Sequence, residues 1–147
     1  GGAGVGKPGN REGGLRTPHP PAEASMSEPV PAFPHNKLDV HRVAVEFSVA
    51  SWHMAAQMPR GSGPLADQLR RAALSTVTNI AEGANRLGVG EKRQKFSIAR
   101  GEVGEAAAAL EVAVALGLVP VPEAEAARVL AGRVAAMLTQ LIRRFGG

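Results

Sequence analysis

Between Gln68 and Arg100 the chain gathers the side chains best suited to chemistry with an anion: Arg70, Arg71, Arg86, Lys92, Arg93, Lys95 and Arg100. Over residues 65–100 these seven cations meet three acids, Asp67, Glu82 and Glu91, whereas residues 1–34 balance three cations against three acids. The formal excess of +4 carried by the 147 residues is therefore concentrated in the middle of the chain. A localised positive field suits a polyanion, because each Lys or Arg that neutralises a backbone phosphate releases counterions. Arg71, Arg86, Lys92, Arg93, Lys95 and Arg100 form the candidate nucleic-acid surface, with Arg100 one heptad after Arg93 on the same helical face. Phe96 is the one aromatic among them and belongs to an apolar stripe. Contact with RNA or DNA backbone is therefore expected rather than base stacking, with little sequence specificity. The competing reading is an ordinary solvated face, with Asp67 and Arg71 as an i,i+4 pair, on a protein-interaction or scaffold module that binds no nucleic acid.

Other chemistry lacks its parts. There is no cysteine, which removes disulfides, thiolate catalysis and Cys-ligated metal sites. His41 and His53 are twelve residues apart with no His-Glu-x-x-His or Glu-x-x-His spacing, so no metal site is expected in a bundle core. Glu102, Glu105 and Glu111 fall on varied helix faces, and Ser75, Ser97 and Thr78 have no nearby histidine base. Gly88-Val89-Gly90 lacks phosphate-loop spacing and a preceding strand, so these glycines close a connection. The expectation is a protein without catalytic residues, cofactor or metal.

The elements that position the cations are helices. Apolar residues make up 44% of the chain but aromatics 3%, so the core is built from Ala, Val and Leu, which favours close-packed helices. Residues 1–34 hold seven glycines and seven prolines without apolar periodicity and read as a disordered tail; Met26 is a candidate natural start. Residues 35–147 read as one antiparallel up-down-up-down four-helix bundle, with helices over about 38–57, 65–84, 91–116 and 122–144. No run reaches the roughly 20 apolar residues of a membrane span and no signal segment opens the chain, so a cytoplasmic location is expected.

Two features of the helices bear on assembly. The first helix has two apolar stripes, Leu38, Val45, Val49, Trp52 and Ala56 on one side and Val40, Val43, Phe47 and Met54 on nearly the opposite side. One small bundle covers one face, so Val43, Phe47 and Met54 are assigned to a subunit interface. In the second helix Leu65, Leu69, Ala73, Ile80 and Ala84 face inward, and Arg70 lies on the flank of that arc. Arg70 is assigned a structural partner within the bundle or across a subunit boundary, and Asn79 and Glu82 are taken as local anchors. Gly101 and Gly104 interrupt a good helix former, which predicts close approach of another helix there.

Three runs carry a family resemblance: Gln68-Leu69-Arg70-Arg71-Ala72-Ala73, Asn79-Ile80-Ala81-Glu82-Gly83 and Ile98-Ala99-Arg100-Gly101, with Leu38-Asp39-Val40 opening the likeness and Leu118 closing it. In this order they resemble the small bacterial four-helix-bundle family that includes proteins encoded in intervening sequences of large-subunit ribosomal RNA genes and the accessory variability proteins of diversity-generating retroelements. The resemblance implies a ring-shaped homo-oligomer, a pentamer, that binds nucleic acid or a ribonucleoprotein such as a reverse transcriptase with its template. The chain departs from the family pattern in two places. Thr76-Val77-Thr78 stands where relatives have Ile-Pro-Ser, which removes a proline kink. Glu102-Val103 stands where relatives have Ser-Leu, which sets a negative charge beside Arg100.

Overall fold

In a computed structural model, which describes residues 32–146, the chain is a four-helix bundle introduced by a single turn of 3-10 helix. The order is η1 (Pro34–Lys37), α1 (Asp39–Gln57), α2 (Gly63–Asn85), α3 (Val89–Ala115) and α4 (Val121–Gly146). α1 packs on α2, α2 on α3, α3 on α4, and α4 returns to α1, which closes an up-down-up-down ring of neighbours. Among the described residues no helix is long and apolar enough to cross a membrane. The disordered-tail assignment falls almost wholly on residues 1–31, outside the described region. Its boundary is too late, because Phe33 and Pro34 already belong to the ordered entry.

Local chemistry sets the ends. Asn36 Oδ1 accepts the Phe33 N–H at 2.9 Å and holds η1 closed. Pro64 occupies the first turn of α2, where its missing donor costs nothing. Gly117, at φ 71°, adopts the left-handed conformation that ends α3, and the Leu118 N–H bonds the Ala113 carbonyl. α2 runs 23 residues without a proline kink, as Thr76-Val77-Thr78 implies; Thr76 Oγ1 donates to the Ala72 carbonyl at 2.8 Å, so its buried hydroxyl is satisfied.

The core is thin, as the composition predicts. Ala44, Ala72, Ala73, Ala99, Ala106, Ala113 and Ala124 are fully covered, and the volume is supplied by Phe47, Met54, Leu69, Ile80, Phe96, Leu110 and Leu138. At Gly83 the backbone of α2 lies close against α3. A Cβ added there would lie 2.8 Å from Phe96 Cε1 and 3.1 Å from Lys95 Cβ, so only glycine fits without displacing the ring. Gly101 and Gly104 do the opposite of what was expected. Both are exposed on α3, with open space around an added Cβ, because the inward stripe of α3 runs through Phe96, Ala99, Val103, Ala106 and Leu110.

The two stripes of α1 also change places. Val43, Phe47 and Met54 are buried inside the single chain, so they are core residues and not an interface between subunits. Val45, Val49 and Trp52 face outward instead, joined by the exposed Leu74 of α2. The physical reason is volume. An alanine-rich interior takes Phe47 and Met54, with Leu69, Ile80, Phe96, Leu110 and Leu138, to fill it, whereas Trp52 lies against Arg70 at the surface.

Candidate nucleic-acid interface

The six cations expected to make one surface fall on two flanks of α3 and at one end of the bundle. On the α2 side, Arg71 reaches across to α3, with Nη2 2.7 Å from Glu105 Oε1 and Nη1 3.5 Å from Glu102 Oε1. The expected Asp67–Arg71 pair is absent, since Asp67 bonds Arg70 at 3.0 Å. Arg71 is thus a clamp between helices, compensated by two carboxylates, and Glu102 faces it rather than Arg100. Glu82 sits between Arg86 at 3.5 Å and Lys95 at 3.7 Å, so one acid serves two cations. Its assignment as a local anchor is compatible with that geometry, as is that of Asn79, whose Nδ2 donates to the Ser75 carbonyl at 2.9 Å.

On the other flank α3 meets α4. Arg100 Nε donates to Thr139 Oγ1 at 2.7 Å, and Arg93 Nη1 donates to the Phe145 carbonyl at 3.4 Å. At the end of the bundle Lys92 Nζ donates to the Ala84 and Gly83 carbonyls at 3.0 and 3.4 Å, which satisfies acceptors left open by the last turn of α2. The distinction between partners matters for the field. Arg71 is matched by acids, while Lys92, Arg93 and Arg100 bond neutral oxygens and have no carboxylate partner among the described residues.

Arg70 lies where its flank position predicts, partly covered, but its environment is local. Besides Asp67 it has the Trp52 ring, 5.7 Å from the guanidinium carbon, a cation–π contact that ties α2 to the outward face of α1.

Antiparallel packing then gathers charge that is dispersed along the sequence. The half of the bundle containing η1, the start of α1, the end of α2, the start of α3 and the end of α4 holds nine cations: Lys37, Arg42, Arg86, Lys92, Arg93, Lys95, Arg100, Arg143 and Arg144. Four acids, Asp39, Glu46, Glu82 and Glu91, share it, an excess of five. The opposite half holds Arg60, Arg70, Arg71, Arg128 and Arg133 against Asp67, Glu102, Glu105, Glu111, Glu123 and Glu125, a deficit of one. Lys37, Arg42, Arg143 and Arg144 are the members that sequence reasoning missed. Arg143 and Arg144 are visible in the sequence only as cations suited to a helix C-terminus, and their proximity to Lys92 depends on the up-down order. An open cavity of about 310 Å³ lies at this pole between Lys37 and Arg144, floored by Leu38, Val40, Met137 and Leu141.

Among the described residues no group of three or more His, Asp or Glu is placed to hold a metal ion. Residues 36–140 match the family model described as 23S rRNA-intervening sequence protein. Comparison with curated proteins gives no match.

Proposed function

The chain belongs to the 23S rRNA-intervening sequence protein family, and on that premise we propose that it is a non-catalytic, homo-oligomeric bundle that binds RNA through the cationic pole. The observation that carries this reading is the excess of five charges at one end, where Lys92 and Arg93 are held in place by neutral carbonyls and so remain free to attract phosphate. The family's name connects it with ribosomal RNA, and a ribonucleoprotein partner such as a reverse transcriptase with its template rests on the family resemblance alone. The interface set shifts accordingly, from Arg71 and Lys95 toward Lys37, Lys92, Arg93, Arg143 and Arg144.

Salt-titrated binding of mixed-sequence RNA and DNA tests the proposal. The Arg93→Glu, Arg144→Glu variant should lose most affinity at low salt and lower the slope of log affinity against log salt by about two, one for each phosphate contact removed. Arg71→Glu should bind as the parent does. Undetectable binding of the unaltered protein at low salt removes the reading.

Oligomerisation is proposed through the outward face of α1, where Val45, Val49 and Trp52 present apolar surface beside Leu74 of α2. The same face favours a second reading, a scaffold that engages a protein partner without nucleic acid. Light scattering decides first whether the protein is more than a monomer at micromolar concentration, and a pentamer is the expected outcome.

A further inference from the structure

We infer that Phe33–Lys37 is a pH-operated strap, closed when His35 and His41 are neutral and opened when they take up protons. The amide of Asn85, at the end of α2, fixes the proton pattern. Its Nδ2 donates one hydrogen to the Ala81 carbonyl at 2.8 Å, which sets the orientation of the amide. The second hydrogen then points to His35 Nδ1 at 2.9 Å, a hydrogen bond that forms only while that nitrogen carries no proton. Protonation turns Nδ1 into a donor facing a donor. Flipping the amide does not cure this, because its oxygen would then face the Ala81 carbonyl.

The second histidine adds to the effect. The His41 ring lies 4.7 Å from that of His35, which also stacks on Phe33 at 5.5 Å, so two imidazolium charges would be forced together at the root of the strap. Burial, and next the neighbouring His35, hold the His41 pKa below the ordinary histidine value. The closed form thus binds fewer protons than the open one. Its stability is present near neutral pH and is lost as pH falls below about 6.5.

Charges on the surrounding elements do not counter this. η1 packs on α1 and α2. On α1 Asp39 lies 3.9 Å from Arg42, and Glu46 is one turn further on; on α2 Glu82 is shared by Arg86 and Lys95. Lys37 is on the strap itself. Lys92 of α3 and Arg144 of α4 line a cavity of about 100 Å³ that Pro34 and Leu38 border. Opening the strap uncovers this cavity, with Phe96, Leu141 and Phe145 as its apolar walls.

Two-dimensional amide NMR of the full chain between about pH 7.5 and 5.5 tests the strap. The Asn36, Lys37 and Leu38 peaks should move together between two positions with a midpoint below about 6.5, as the Asn36–Phe33 and Leu38–His35 backbone bonds are released. Asn85→Ala, which removes the clasp and leaves both histidines in place, should sit at the acid position already at neutral pH. The His35→Phe, His41→Phe double variant keeps the rings, removes both protons and should give peaks that do not move. Static peaks in the parent, an Asn85→Ala spectrum that titrates like the parent's, or unchanged titration in the double variant would overturn the inference.

Discussion

The two faces of α1 carry nearly the same chemistry and have opposite fates. Val43, Phe47 and Met54 vanish into the interior, while Val45, Val49 and Trp52, only two residues out of step, remain in contact with solvent. Hydrophobicity alone therefore does not decide what is core. Packing does: the alanine-rich interior closes around Phe47 and Met54, the bulkier Trp52 stays on the outer face against Arg70, and the second apolar stripe is left for whatever lies outside.

The sharpest way to break this comparison is to empty the inner face. Phe47→Ala should cost about 3–5 kcal/mol in denaturant unfolding, because a fully buried ring leaves a cavity into which the packed interior collapses only in part. A loss below about 1 kcal/mol would mean that Phe47 is not a keystone. Gly83→Ala comes next, at about 1–3 kcal/mol, since the new methyl must push the Phe96 ring aside. Gly101→Ala reverses the sign. In open space on α3 it should raise stability by up to about 1 kcal/mol, and a decrease would reveal a partner surface pressed against that helix. Arg71→Gln should lower the melting midpoint by an amount worth about 0.5 kcal/mol at low salt and less at high salt, because the pair with Glu105 is half exposed. Smallest of all for the single chain is Val49→Asp on the outer face. Its unfolding free energy should change by under about 0.5 kcal/mol while light scattering shows a smaller assembly. A large loss of stability without dissociation would put the outer face on the same footing as the inner one.

The helices were legible within two residues at each end, because the break residues, Met58 to Pro64, Leu87 to Gly90 and Leu118 to Pro122, are local signals. α1 was the exception in kind. Apolar periodicity identified both stripes and could not rank them, since rank depends on the volume left by three other helices. Arg71 was misplaced for a similar reason. The sequence offered Asp67 at helical spacing, and the stronger partners, Glu102 and Glu105, lie more than thirty residues away. Gly101 and Gly104 were misread because a glycine in a helix signals close approach only when it faces inward, as Gly83 does. The cationic pole was half legible. Arg86, Lys92, Arg93 and Lys95 are neighbours along the chain, but Lys37, Arg42, Arg143 and Arg144 join them only through antiparallel order.

That uneven distribution of charge makes the bundle an electric dipole, positive at the end where α2 stops and α3 starts. In the field of a polyanion such a molecule feels a torque as well as an attraction, and it turns its positive end forward before any contact forms. Copies set side by side around a rotation axis parallel to their helices would all point the same way. The resulting ring would have one attracting rim and one indifferent rim, so a nucleic acid could approach it from a single direction.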